Sequence, residues 1–163
     1  MSRCWKFGDN VATDEILPFQ YMTLTEPAEL GLHVLENARP GFAQKIAKGD
    51  IIVAGGNFGY GSSREQAPLS LKGAGAGAVV ARTFARIFFR NCINIGLPAI
   101  VCPEASADAN EGDDLAVDIA AGTIRNNTKG AAYAFPPFPE SVMEYLRNGG
   151  LVNTVNKRRS GVL

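Results

Sequence analysis

Apolar residues in this chain come in short runs bounded by glycine, proline and turn residues, and these runs alternate with helix-period segments. Ile51-Ile52-Val53-Ala54, Ala78-Val79-Val80-Ala81 and Leu97-Pro98-Ala99-Ile100-Val101-Cys102 carry no charge. Each reads as a short strand buried on both faces. Residues 3–7 add a first strand. Between the runs, the spacing predicts helices from Ser63 to Lys72 and from Thr83 to Ile95, the second stopped by Gly96. Two strand–helix–strand units in succession argue for parallel pairing with right-handed crossovers. Further helices are expected from Glu26 to Leu35, with Pro27 in the first turn, and over 42–47. The uncharged segment from Phe19 to Thr25, bracketed by Pro18 and Pro27, reads as a mobile loop.

The texture changes after residue 103. Glu104 to Asp114 is small and acidic, a surface loop or weak helix. Leu115–Ile119 and Gly122–Arg125 read as two strands of a hairpin, with Tyr133-Ala134-Phe135 as another strand. Pro139 to Arg147 is a short helix ending at Gly149-Gly150. The polar, basic end, with Lys157-Arg158-Arg159, reads as a mobile tail. The expectation is therefore an α/β domain over 1–150 and a C-terminal tail over 151–163.

The stretch with the most chemistry is Gly55-Gly56-Asn57-Phe58-Gly59-Tyr60-Gly61-Ser62-Ser63-Arg64-Glu65-Gln66. A buried strand enters it, glycines permit tight turns and close approach, and two serines stand where a helix should start. Ser62 with Glu65, or Ser63 with Gln66, fits the capping pattern, Ser63 being the better candidate. A helix start offers unpaired N–H groups and partial positive charge, to which Arg64 adds a full one. Together they describe a site for a small carboxylate, or else an ordinary capped turn. The loop is neither a Walker A sequence nor a dinucleotide fingerprint. Thr13, Asp14 and Glu15 place a hydroxyl and two carboxylates together, either as a helix cap or as a second polar wall.

Composition narrows the classes. Sixteen basic residues balance sixteen acidic ones across 163 residues, so no net field draws in nucleic acid or a membrane surface. The three cysteines, Cys4, Cys92 and Cys102, form no Cys-x-x-Cys pair, which argues against a disulfide framework or a metal cradle in this chain. Cys92 and Cys102 read as small core residues, and a reducing cytoplasm is the expected compartment. His33 is the only histidine and lies far from any nucleophile, which argues against a Ser-His-Asp hydrolase.

Three separated motifs carry a family resemblance: Gly8-Asp9-Asn10-Val11-Ala12-Thr13-Asp14, Asn57 through Glu65, and Phe84-Ala85-Arg86-Ile87-Phe88-Phe89-Arg90-Asn91. From Gly8 to about Tyr145 the chain resembles the small subunits of 3-isopropylmalate dehydratase, which correspond to the swivel domain of aconitase. The resemblance implies a swivelling β/β/α domain, three-layered with a mixed or parallel sheet. It implies a partner large subunit holding a [4Fe–4S] cluster, no metal or cofactor in this chain, and dehydration and rehydration of a small hydroxy-dicarboxylate. By motif, Ser62 matches the catalytic base, Ser63 and Arg64 match carboxylate-binding residues, and Thr13 and Asp14 match the second wall. The loop Tyr21-Met22-Thr23-Leu24 matches the segment that selects the γ substituent. Its lack of positive charge favours an alkyl group over a further carboxylate, since an unpaired carboxylate there would be costly. Isopropylmalate is thus preferred, with homocitrate, methylmalate or citraconate, and dimethylmalate as alternatives, and a non-catalytic assembly module as another. Tyr60 and Gln66 stand where the family usually has cysteine and histidine.

Overall fold

The computed structural model describes residues 1–162. Strands β1 (Cys4–Lys6), β2 (Ile51–Ala54), β3 (Ala78–Ala81) and β4 (Ala99–Val101) pair in that order, all parallel. Their side chains alternate between two apolar layers. Trp5, Ile52, Ala54, Val79, Ala81 and Ala99 enter one core. Cys4, Ile51, Val53, Ala78, Val80 and Ile100 enter the other. A strand buried on both faces has no polar face to show, which is why these runs carry no alternation in the sequence.

Helices α1 (Thr13–Ile16), α2 (Pro27–Gly31), α3 (Gln66–Gly73) and α4 (Arg86–Asn94) cover the first face. Helix α5 (Pro103–Asp108) and a second, antiparallel sheet of β5 (Leu115–Asp118), β6 (Thr123–Asn126) and β7 (Ala131–Ala134) cover the other. The result is the expected three-layer β/β/α arrangement. The antiparallel strands form their own sheet instead of joining the parallel one. Helices α2 and α3 meet where neither has a side chain. A Cβ on Gly73 would lie 1.7 Å from the Pro27 carbonyl oxygen, and one on Gly31 2.5 Å from Gly73 backbone.

Three expectations are corrected. Residues 42–47 form a turn, in which the amides of Lys45 and Ile46 both bond the Phe42 carbonyl. The Asp50 carboxylate then takes the Ala47 N–H at 2.9 Å, and Gly49, at φ +91°, turns the chain into β2. Phe42 itself is fully buried, edge-on to Trp5 at 5.1 Å and to Phe7 at 5.6 Å. Burial on this scale contributes about 1.5–3 kcal/mol. Residues 19–25 are held in place: Phe19–Tyr21 form a 3-10 turn, and Tyr21, Met22 and Leu24 pack against the core. The expected C-terminal tail contains a helix, α7 (Leu151–Arg159), packed on α6 (Glu140–Asn148). Its polar composition concealed one anchor. Thr154 is fully buried and its hydroxyl donates to the Gly150 carbonyl at 2.9 Å. Arg158 pairs with Glu144 and Lys157 reaches Asn148, tying the two helices together. Residue 163 lies outside the described residues. Among those residues, no helix is long and apolar enough to cross a membrane.

All three cysteines are free and buried. Desolvation pushes the Cys4 thiol up to about 12 and raises Cys92 and Cys102 as well. Since the thiolate is the reactive species, the native protein at pH 7 should leave all three unlabelled by Ellman's reagent. Unfolding in guanidinium should expose three equivalents. Rapid labelling of the native state would contradict the packing described here.

Candidate active site

The backbone hydrogen bonds of the parallel sheet do not stop at the strand ends. After β1, β2 and β3 the chain continues as three loops, and these bond one another in the same sense. Gly55 N–H donates to Gly8 O, Asn10 N–H to Gly56 O, Gly59 N–H to Val11 O and Thr13 N–H to Tyr60 O, all at 2.8–3.0 Å. On the other side Arg82 N–H reaches Gly55 O, Phe58 N–H reaches Thr83 O and Ala85 N–H reaches Phe58 O. Asn10 and Asn57 take left-handed conformations at φ 56° and 58°, which asparagine tolerates, and their side chains bond at 3.1 Å. The Asp9 carboxylate accepts the Gly56 N–H at 2.6 Å and pairs with Arg82 at 2.9 Å. The Gly56 bond, reinforced by Arg82, holds its pKa below the ordinary carboxylate value.

This stitching builds a cavity of about 270 Å³ at the carboxyl ends of the strands, where open parallel sheets usually bind ligands. Its polar lining is Thr13, Ser62, Ser63, Arg64, Arg86 and Asn91. Among the described residues, no carboxylate lines it. Among the described residues, neither Arg64 nor Arg86 forms an ion pair. Arg86 opens α4, whose first turn has no side-chain cap. The helix therefore adds unpaired N–H groups and positive potential to the two guanidinium charges. Among the described residues, two buried side-chain polar atoms have no protein partner, Thr13 Oγ1 and Arg64 Nη1, and both residues line this cavity. Buried polar atoms are nearly always satisfied. A pair left open in an uncompensated cationic cavity marks a place for an anionic ligand, with carboxylate matching the guanidinium geometry.

The structure brings Thr13, Ser62, Ser63 and Arg64 together. It does not bring Asp14. Thr13 is buried and Asp14 exposed, because neighbouring residues on a helix point about 100° apart. The expected cap is also absent. Helix α3 starts at Gln66 with Glu65 in the cap position and no side-chain cap bond. Ser62 and Ser63 sit exposed in the loop before it, just after Tyr60, whose carbonyl accepts the Thr13 N–H. Tyr21, Met22, Thr23 and Leu24 do not line the cavity. Tyr21 lines a separate depression with His33 and Glu36, and Met22 and Leu24 turn toward the core. The third motif contains Arg86 and Asn91 but the sequence reading assigns neither to the site, because nothing local says what their helix face meets. Phe19 was passed over too. It is 74% exposed, and the Arg64 guanidinium lies 5.4 Å from its ring centroid.

The three cysteines sit on β1, on α4 and just after β4, buried and apart. Among the described residues, no group of three His, Cys, Asp or Glu side chains is placed to hold a metal ion. The chain's own residues do not fit an iron–sulfur cluster.

Residues 8–105 match the family described as the aconitase C-terminal domain. The chain belongs to that family. It is 54% identical over 151 residues to the methanogen homoaconitase small subunit of Methanothermobacter thermautotrophicus, covering 93% of this chain and 87% of the relative. It is 51% identical over 159 residues to 3-isopropylmalate dehydratase small subunit 1 of Archaeoglobus fulgidus, covering 98% of each. It also superposes on a crystal structure of 3-isopropylmalate dehydratase (leuD) from Methanocaldococcus jannaschii with a TM-score of 0.91. That alignment is 41% identical and covers 97% of this chain and 93% of the other.

Gly59 sits at φ +80° and a Cβ there would meet the Phe88 ring at 2.1 Å. Gly59→Ala should destabilise the fold by on the order of 3 kcal/mol, combining backbone strain with overpacking, measurable in urea. Asp9 has a depressed folded pKa, so its contribution is complete above the unfolded carboxylate pKa of about 4 and is lost as pH falls through the folded value. Asp9→Asn should therefore flatten the acid limb of the stability curve below about pH 4. An unchanged limb would show that the Gly56 bond carries no stability.

Proposed function

We propose that this chain is the small subunit of a two-subunit hydro-lyase that isomerises a hydroxy-dicarboxylate by dehydration and rehydration, with 3-isopropylmalate and 2-isopropylmalate as the pair. The observation that carries this reading is the cavity itself: two unneutralised arginines, open Thr13 and Arg64 atoms, and the serine hydroxyls beside them. The family membership and the small-subunit names of the relatives support it.

In this reading Arg64 and Ser63 take one substrate carboxylate, and Arg86 with the α4 N–H groups stands as the second positive centre. Ser62 Oγ accepts the proton from the carbon next to a carboxylate, while hydroxide leaves the neighbouring carbon. The double bond forms between those two carbons. Rehydration with the two positions exchanged returns the proton from Ser62 and gives the isomer. Positive potential from Arg64, Arg86 and the α4 start favours the deprotonated serine oxygen the step needs. A [4Fe–4S] cluster in the large subunit supplies the Lewis acid for the departing hydroxide. Thr13, bonded through its N–H to Tyr60, adds a hydroxyl beside the serine loop for the substrate or a bound water. The exposed Asp14 serves only at the edge, against the partner. A cytoplasmic setting suits three free thiols.

The homoaconitase relative raises a substrate with one more carboxylate. Phe19, the residue of this segment that meets Arg64, carries no charge to pair with that carboxylate, which favours the alkyl substituent.

The test uses the chain assembled with its cluster-bearing large subunit under anaerobic conditions. Ser62→Ala should lower kcat by about 10²–10⁴, the scale of general acid–base catalysis, with the complex intact. Normal turnover in that variant would remove Ser62 from the mechanism.

A further inference from the structure

Phe19 is one of the most exposed large apolar side chains in the described chain, yet its surroundings are fixed. Its 3-10 turn is pinned from two sides. Tyr21 stacks on His33 with ring centroids 3.5 Å apart and planes 11° apart, and its hydroxyl donates to Glu36 at 3.4 Å. From the other side, Gln66 at the start of α3 donates to the Met22 carbonyl at 3.4 Å. Gln66 follows Arg64 by two residues, so the same segment that places Arg64 also holds the turn that carries Phe19. The ring then lies against the Arg64 guanidinium, with Cζ 5.4 Å from its centroid. Arg64 has no carboxylate partner and a buried, unbonded Nη1.

We propose that Phe19 is a positioning residue for substrate binding: its π face covers the Arg64 guanidinium, holding Nη1 at the cavity and keeping water off the arginine–carboxylate pair. Long arginine side chains otherwise lose rotamer entropy on being fixed, and a stacked ring removes part of that cost before substrate arrives. The aromatic face attracts the cation without competing for its N–H donors, as a carboxylate partner would. Phe19, and not Tyr21–Leu24, is then the loop residue that meets the site, and Tyr21 and Met22 anchor it.

The inference rests on the carboxylate-binding role of Arg64 proposed above. It is tested in the assembled complex with isopropylmalate by steady-state kinetics, with association to the large subunit measured in parallel. Phe19→Ala should raise KM about tenfold, the scale of a partly desolvated cation–π contact, with kcat within about twofold. Phe19→Trp should keep KM within about threefold of the parent, whereas Phe19→Leu, apolar but without a π face, should follow Phe19→Ala. In an Arg64→Ala background, Phe19→Ala should add nothing. If Arg64→Ala itself leaves KM unchanged, the functional reading fails. If Arg64→Ala raises KM and Phe19→Ala does not, this inference alone fails. A Phe19→Leu enzyme with parental KM, or Phe19→Ala acting through weakened association with the large subunit, would also overturn it.

Discussion

The structure depends on backbone hydrogen bonds that outlast the sheet. Where β1, β2 and β3 end, their loops stay in register for several residues more, amide to carbonyl, before diverging. Loops that leave a parallel sheet usually satisfy their polar groups with water and move accordingly. Here the satisfaction is mutual, so three segments remote in sequence become one semi-rigid platform. Glycine at position 59, Asn10 and Asn57 in left-handed conformations, and the Asp9 carboxylate on Gly56 N–H let the loops lie this close.

That platform sets the electrostatics. It brings Arg64 from the second loop and Arg86 from the start of α4 to one cavity, and among the described residues neither has an acidic partner. Two cations facing each other without compensation raise the energy of the empty site, and an anion lowers it. Thr13 Oγ1 and Arg64 Nη1 belong to the same imbalance. Stability lost in the empty protein reappears as binding when a dicarboxylate enters, the usual relation between strained polar sites and ligands.

Elements whose identity rests on local chemistry were legible in the sequence. The buried strands read as uncharged runs because both faces are apolar, and β2 and β3 stand where the runs predicted. Helix α6 was readable from its proline and its Gly149-Gly150 stop. Elements that depend on distant partners were not. The start of α3 moved three residues, since Ser62 and Ser63 stay in the loop that Tyr60 ties to Thr13 and neither caps the helix. The helix α7 looked like a polar tail because its anchor is one buried threonine and a few pairings with α6. The turn at 42–47 reflects Phe42 inserted between Trp5 and Phe7, and no local pattern announces that.

By itself, the sequence determined the buried strands and a glycine loop carrying two serines and an arginine, and its three motifs carried the family resemblance that implied the layer order and the candidate site. The strands and the loop follow from periodicity and turn residues, which act over a few residues. Only the tertiary structure decided which side chains share the cavity. It turned Asp14 outward, brought Arg86 in, folded Met22 and Leu24 toward the core and left Phe19 against Arg64. The reason is that side-chain direction at a loop or short helix is set by backbone bonds to segments tens of residues away. The glycine loop and its serines were visible from the beginning, but the charge that surrounds them was assembled by the fold.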